Sequence, residues 1–411
     1  MKLRTLPDAM NLRGKRALLR LDWNVPLSNV SPLPLPRGSE RGFALAAEDT
    51  VKIERSLGTI RSLASRGAIV IVLTHLGRPE GRDPSLSTLQ LVDVLERRFR
   101  LSIAYHPESV SEKKEREALA LRLAQAKDGS IHLLENVRFE QGEEKNDPQL
   151  AKAYASLGDL FVNDAFASSH RSHASVVGIA KLLPRYAGPQ LVEEVRALSV
   201  FLKKPKKPFV VVIGGLKLST KIPIIKSLLL MCDRLLIGGA MATTLRASLK
   251  DPVGKSFVEK SVLKDAKAIA EHPKVYIPYD VVVTKKIEEK PKLERKLMID
   301  IKSDDRIVDV GPRTLRGWGE EILRAQTILW NGPVGITEIP ACGAGTRFLA
   351  RAVGMRAKGK AFGVVGGGDT LPVIYATKTE NQFDHVSMGG GALLEFLEKK
   401  GKLPGLLPLM T

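Results

Sequence analysis

Cysteine is nearly absent from this chain. Only Cys232 and Cys342 occur among 411 residues. They have neither the clustered spacing of a zinc site nor the number of a secreted disulfide framework, so two free, buried thiols are expected. Aromatic residues make up 5%, too few to suggest the stacking platforms on which nucleic-acid bases are held. No apolar run reaches the roughly 18 residues of a membrane span, and the opening MKLRTLPDAMNLRGKR lacks the apolar core of a signal peptide. A cytoplasmic protein with no membrane partner is expected. Acidic residues are also in deficit: 45 Asp plus Glu against 64 Lys plus Arg, a net charge of +19. Such an excess concentrates any polyanion, whether nucleic acid, anionic membrane or phosphorylated metabolite. The cations are spread along the chain, and clusters such as Lys203, Lys204, Lys206 and Lys207 read as solvated surface. Nucleic-acid binding is therefore not expected as the main function.

What is present is an ordinary globular composition, 44% hydrophobic and 27% charged, in a chain long enough for two domains. Apolar runs of strand length recur, each followed by Gly, Pro or polar residues and then by an amphipathic stretch of helical period. That alternation belongs to a parallel sheet covered on both faces. In the first half the runs are ALLRLDWNVP at 17–26, AIVIV at 68–72, SIHLL at 130–134 and DLFVN at 159–163. In the second they are FVVVI at 209–213, RLLI at 234–237, TILW at 327–330, AFGVV at 361–365 and HVSM at 385–388. The predicted fold is α/β, two doubly wound parallel-sheet (Rossmann-like) domains joined by a hinge helix, LVEEVRALSVFL at 191–202, which Pro189 and Pro205 bound. The domains are predicted at 1–188, completed by the tail 396–411, and at 189–395. Residues 27–48, rich in proline and turn formers, interrupt the pattern as an extended loop, either a lid or a tolerated insertion.

Ligands on open parallel sheets bind at the carboxyl ends of strands, and the two halves end their strands differently. In RLDWN, alternation places Asp22 and Asn24 on one face and Trp23 on the other. THLGRP offers His75 and Arg78 around a turn at Gly77, LLENVRF gives Arg138, and NDAFASSHRSHAS gives His170, Arg171 and His173. One arginine after a strand is ordinary surface charge. Four such strand ends in succession, three of them carrying arginine, suggest a pocket for a small phosphorylated acid, because each guanidinium fork grips two oxygens at once. No nucleophile elbow and no HExxH motif accompany them.

The second half ends its strands in glycine: IGGLKLSTK at 213–221, IGGAMATT at 237–244, NGPVG at 331–335, VGGGDT at 365–370 and MGGGALLEFL at 388–397. Glycine lets backbone N–H groups approach phosphate oxygens, and a following helix N-terminus adds positive potential, which suits a nucleotide. Lys217 and Lys221 stand one helical turn apart and reach one anionic ligand. Asp369 is placed either to cap a helix or to hold nucleotide-bound Mg²⁺. Glu338 is placed to bond a ribose hydroxyl. GMRAKGKA near 354–361 lacks the final hydroxyl of a P-loop and precedes a strand, and no GxGxxG opens a helix.

Taken in order, LDWNVP, THLGRP, LLENVRF, NDAF with HRSHAS, GGLKLSTK, NGPVG, GGGDT, GGGALLEFL and the closing GKLPG resemble the phosphoglycerate kinase family from about residue 17 to 405. The resemblance implies reversible phosphoryl transfer between 1,3-bisphosphoglycerate and Mg-ADP, a glycolytic step, giving 3-phosphoglycerate and Mg-ATP. It implies that Asp22, Asn24, His75, Arg78, Arg138 and Arg171 contact the phosphoglycerate, with Trp23, Leu76 and Gly77 of the same motifs and Lys52 of the first helix also in the substrate-binding set. It places nucleotide and metal at Lys217, Lys221, Gly238, Gly239, Asn331, Pro333, Glu338 and the Gly366, Gly367, Gly368, Asp369, Thr370 loop, with Asp369 as the metal ligand. Catalysis would fall to Lys52, Arg171, Lys217 and Lys221. The acceptor carboxylate is already ionised, so no general base is needed, and closure about a hinge would align the ligands and exclude water. A monomer is the favoured state.

One departure bears on activity. Where the family has an arginine opening its first helix, this chain has Lys52, which keeps a point charge and loses the bidentate fork. Arg55, or Arg37 and Arg41 in the preceding loop, are candidate substitutes, and Leu216 stands where the family has a small residue. These differences motivate a competing expectation, a catalytically weakened homologue that binds ligands or a macromolecule.

Overall fold

Strands buried on both faces need apolar residues at successive positions, and β1 (Arg16–Arg20) has them: Ala17 and Leu19 pack into one core layer while Leu18 packs into the opposite one. The computed structural model describes residues 1–25, 31–32, 43–44 and 47–411. A two-residue antiparallel pair, β2 (Ser31–Pro32) and β3 (Phe43–Ala44), lies within the segment read as an extended loop. Arg37 and Arg41 lie outside the described residues. Next come β4 (Ile69–Leu73), β5 (Ala104–His106), β6 (Ile131–Leu134), β7 (Leu160–Asn163) and β8 (Arg185–Ala187). They form one parallel sheet in the order β5-β6-β4-β1-β7-β8. The chain runs outward from β1 on one side and resumes on the other at β7, so the topological switch lies between these neighbours.

The second sheet contains β9 (Phe209–Ile213), β10 (Arg234–Ile237), β11 (Val275–Tyr276), β15 (Thr327–Asn331), β16 (Phe362–Gly366) and β17 (His385–Ser387). All are parallel, in the order β11-β10-β9-β15-β16-β17, with the switch between β9 and β15. Between β11 and β15 an antiparallel sheet is inserted, β12 (Asp280–Thr284) flanked by β13 (Glu294–Leu297) and β14 (Arg306–Val310). It has its own small core of Val281, Val283, Met298 and Ile301 and was not anticipated. The two doubly wound α/β sheets are thus present as expected. Two strands, β9 and β10, match the expected runs residue for residue. The first run was expected to stay extended through Asn24, but pairing ends at Arg20, because the chain must leave the sheet to form the loop that carries Asp22 and Asn24.

The chain divides into two compact units, Met1–Arg196 with Gly401–Thr411, and Ala197–Lys400. The division falls inside the helix Pro189–Leu202 instead of before it. Its first turn is bound to the first unit, where the Leu191 amide donates to the Asp164 carboxylate at 3.0 Å. The tail returns to the first unit: the Gly405 amide donates to Ser169 O at 2.8 Å, and Leu3 bridges Met410. Cys232 and Cys342 are free and buried. Among the described residues no helix is long and apolar enough to cross a membrane.

At the β5–β6 edge His106 Nε2 lies 2.9 Å from His132 Nδ1, with Ser130 Oγ 2.8 Å from the other His132 nitrogen and Glu108 and Arg122 beyond His106. Burial, with the neighbouring His106, pushes His132 down to about 4, and burial lowers His106 as well. In the unfolded chain both imidazoles protonate near about 6.5. This pair therefore leaves stability intact above that pH and removes it progressively as pH falls towards 4. Denaturant midpoints at pH 7 and pH 5 test this: His132→Gln is expected to narrow the difference between them, and an unchanged difference counts against the assignment.

Candidate functional sites

Because the first sheet is parallel, the loops after β6, β4, β1 and β7 leave from one edge and from adjacent strands. The four polar strand ends read from the sequence, three of them cationic, are therefore neighbours. Asn24 knits this edge together. Its amide accepts from the Gly77 N–H at 2.8 Å, its N–H donates to Asp22 at 3.1 Å, and its backbone carbonyl accepts from Lys52 Nζ at 2.7 Å. Lys52 is carried by the helix Ala47–Ser65. Gly77 adopts φ +58°, and a Cβ there would stand 2.7 Å from the end of the Leu86 side chain, so the turn favours glycine. Asn136 Nδ2 donates to Leu76 O at 2.8 Å and the Arg138 guanidinium donates to Gly77 O, holding the same turn from below.

The electrostatics of this edge are dominated by like charges. Arg138 is lowered by burial and by the proximity of Arg171, Arg20 and Arg78, against which Glu144 is the local counter-charge. Burial and neighbouring cations push His173 down to about 3 and hold His75 well below the usual imidazole range, so both are neutral at physiological pH. Burial alone would raise Asp22; His75, Lys52 and Arg20 outweigh it and keep the carboxyl ionised. With His75 neutral, Lys52 and Arg20 supply that stabilisation. Arg171 is oriented through its Nε, which donates to His170 Nε2 at 3.2 Å.

Two expected contact residues offer no side chain to this edge. Trp23 is wholly buried, its indole N–H donating to Ser56 Oγ at 2.8 Å, and Leu76 is wholly buried too. Only their backbones are available. One residue was missed. Arg20, in β1, is 1% exposed. It donates to Ser175 Oγ at 3.0 Å and to the carbonyls of Leu21 and Leu73, and approaches His75 Nδ1 to 3.1 Å. Facing a guanidinium, Nδ1 accepts, which puts the His75 ring proton on Nε2. Ser175 in turn donates to the buried Glu143, which also takes the Ser175 N–H. The sequence signal for Arg20 was a charge inside a buried apolar run.

In the second unit the five glycine-bearing ends follow β10, β9, β15, β16 and β17, adjacent in that order. At the switch point the loops cross closely. A Cβ on Gly214 would lie 1.9 Å from Pro333 O. Beside the crossing lies a cavity of about 400 Å³, lined by Gly239, Pro333, Glu338 and Asp369 among the expected residues. Phe257, Val281, Met298, Val308 and Val310 form apolar walls that sequence reading missed, since the inserted antiparallel sheet supplies most of them. Asp309 also lines it. Burial pushes its carboxyl up to about 7 although it accepts N–H bonds from Gly345 and Val310.

Lys217 is exposed and Lys221 half-buried. Burial lowers Lys221, and Asp369 opposes that shift. Asp369 is exposed; the residue capping the following short helix is Thr370, with no side-chain cap bond, so of the two expected roles capping is not the one seen. Thr370 Oγ1 instead accepts from the Gly332 N–H at 2.9 Å, binding the two loops together. Asn331 is buried, yet its Nδ2 has no hydrogen-bond partner, and it lies 3.2 Å from where a Gly367 Cβ would stand. Gly238 and Gly366 serve packing, against Val334 and Leu393 respectively. An unpartnered buried amide beside a glycine loop, a free carboxylate and two lysines fit a nucleotide phosphate chain with its cation. Among the described residues no three acidic, histidine or cysteine groups converge on one point, so any metal would draw most of its oxygens from that chain and from water.

The family model for phosphoglycerate kinase matches residues 7–400. The phosphoglycerate kinase of Thermus thermophilus is 45% identical over 410 residues, covering 98% of this chain and 99% of that protein. That of Rhizorhabdus wittichii is 40% identical over 416 residues and all of both chains. The solved phosphoglycerate kinase of Coxiella burnetii superposes with a TM-score of 0.79 at 35% identity over 99% of both chains. That of Pyrococcus horikoshii superposes with a TM-score of 0.81 at 27% identity over 98% of both. On sequence over nearly its full length, and on a fold that carries both sets of strand-end residues, this chain belongs to the phosphoglycerate kinase family.

Proposed function

We infer that this protein catalyses reversible phosphoryl transfer between 1,3-bisphosphoglycerate and Mg-ADP, giving 3-phosphoglycerate and Mg-ATP, as a cytoplasmic glycolytic enzyme. The observation that carries the reading is the gathering of Arg20, Arg78 and Arg171 around Arg138, a cationic cluster that the neighbouring carboxylates Asp22, Glu143 and Glu144 offset only in part. So many fixed cations repel unless a polyanion joins them. A bisphosphorylated acid supplies that charge.

Asn24, Arg78, Arg138 and Arg171 bind and orient the phosphoglycerate, with neutral His75 donating through Nε2. Lys217, Lys221 and the backbone amides after β9 and β16 take the nucleotide phosphates, and the apolar cavity takes the nucleoside. Magnesium, held by Asp369 and the nucleotide, would offset negative charge on the transferring group. The attacking carboxylate needs no base, so rate depends on alignment and on cations facing the phosphoryl oxygens. Since the ligands occupy different units, hinge bending brings them together for the transfer and excludes water.

No observation favours the weakened homologue. Lys52 Nζ is already anchored on Asn24 O within the Asp22 loop, a fixed point charge at the place where the family has arginine. Lys52→Ala is expected to lower kcat by about 10²–10³-fold, the loss of one electrostatic donor, while Lys52→Arg retains activity. A Lys52→Ala enzyme of unchanged kcat would remove lysine from the reaction. The reading as a whole is tested by ATP formation from ADP and enzymatically generated 1,3-bisphosphoglycerate, with and without Mg²⁺. Rapid, metal-dependent turnover is expected, and folded protein without turnover refutes it.

A further inference from the structure

We propose that Glu259 is a positioning residue for the nucleotide's phosphate chain, fixing the loop that carries Lys217 and Lys221 against the wall of the nucleoside cavity. The proposal rests on the nucleotide-binding reading of this unit.

The loop between β9 and the helix Ile222–Met231 has weak internal support. Lys221 is the residue before that helix and gives no side-chain cap. Leu218 is its buried side-chain anchor, its carbonyl accepting the Lys221 and Ile222 amides at 2.8 and 3.0 Å. Gly215 at φ +126° leaves the chain before it permissive. What holds the middle of the loop is a carboxylate from elsewhere: Glu259 Oε2 accepts the Ser219 N–H at 2.9 Å, and Oε1 accepts the Ser219 hydroxyl. These bonds lower the Glu259 carboxyl, Lys217 contributing further, so it is ionised and stands as a counter-charge to Lys217.

Glu259 is itself tied to the cavity. Its N–H donates to the buried Thr244 Oγ1 at 3.1 Å, on the helix Gly239–Ser248 whose Gly239, Ala240 and Thr243 line the cavity. Phe257, two positions earlier, forms part of the apolar wall. Glu259 also stands at the cap position of the short helical turn Lys260–Val262 but makes no side-chain bond to it. Its carboxylate is therefore committed to the lysine-bearing loop, at Ser219 with the Leu218 backbone beside it. One residue thus joins, through its own N–H and its carboxylate, the element that would hold the nucleoside to the element that would hold the phosphates, and sets the spacing between them. A charge-assisted pair of bonds of this kind fixes geometry as well as adding energy.

The test compares wild type, Glu259→Ala, Glu259→Gln and Lys221→Ala. It measures ADP affinity in the presence of Mg²⁺ by calorimetry, KM for each substrate, and amide exchange over residues 216–221. Glu259→Ala is expected to weaken ADP about tenfold, the worth of roughly one charge-assisted hydrogen bond, and to speed exchange at the Ser219 amide. KM for 3-phosphoglycerate and the thermal midpoint stay unchanged. Glu259→Gln keeps one acceptor oxygen and falls between. Wild-type ADP affinity in Glu259→Ala, while Lys221→Ala is weakened, overturns the proposal and leaves the function standing. Equal loss for both substrates with a lowered thermal midpoint overturns it in favour of a general structural role. Wild type that binds no ADP refutes the functional reading and the proposal together.

Discussion

Replacing Asp369 with alanine is expected to lower Mg²⁺-dependent turnover by about 10²–10³-fold while leaving the fold unaltered. Stability is spared because the carboxylate is exposed, does not cap its helix, and accepts no hydrogen bond among the described residues. Surface changes of that kind stay within about 0.5 kcal/mol. The catalytic loss is large because no group of three or more acidic, histidine or cysteine residues stands among the described residues to hold the metal in its place. The variant leaves Lys221, already lowered by burial, without the one anion that supports its charge. Activation should then require far more Mg²⁺, with KM for nucleotide raised and KM for 3-phosphoglycerate little changed. Titrating turnover against Mg²⁺ checks this. A variant with the wild-type activation curve would take the metal away from Asp369.

How much of this could be seen in the sequence depended on whether a residue's partners were near in sequence. Phe209–Ile213 and Arg234–Ile237 were legible in full because continuous apolar runs of strand length admit one reading when Gly-Gly follows them. The cationic and glycine-bearing strand ends were legible for the same reason, since strand direction in a parallel sheet sends them all to one edge. The antiparallel insertion was missed although DVVVT and RIVDV are strand-length runs. Its third strand, ERKL, is polar and mostly exposed, and nothing local announces pairing among segments so far apart. Three-residue strands such as Ala104–His106 exist because the sheet extends to them, not because AYH demands extension. Trp23 and Leu76 show a further limit: a motif tells which residues are close to a ligand, whereas only packing tells whether side chain or backbone faces it. Glu143 lies in the polar run GEEKND, where sequence gives no reason for one carboxylate to be 1% exposed and its neighbour Glu144 to be open.

That buried carboxylate yields the largest expected loss of stability. Glu143 takes both the N–H and the hydroxyl of Ser175, and the same hydroxyl accepts from Arg20. Burial raises Glu143, Arg20 opposes that shift, and the pair lies beneath the cationic edge with His173 Nδ1 3.7 Å from Glu143. Glu143→Ala strips Arg20 of an anionic neighbour and leaves two buried Ser175 donors without their acceptor. A guanidinium cannot escape by losing its proton at accessible pH, so the full penalty of about 3–5 kcal/mol applies. For a unit of this size that corresponds to a fall of roughly 10 °C in melting temperature. Arg20→Met should cost less. The groups it abandons include a carboxyl already biased towards the neutral form, which relieves its burial by taking up a proton. Calorimetric melting of both variants tests the ranking: Arg20→Met melting below Glu143→Ala would mean that the guanidinium's bonds to Leu21, Leu73 and His75 outweigh its charge. The same ranking has a functional side, because Arg20 sets the His75 tautomer. Arg20→Met, though the milder change for stability, is therefore expected to raise KM for 3-phosphoglycerate more than Glu143→Ala does in the molecules that remain folded.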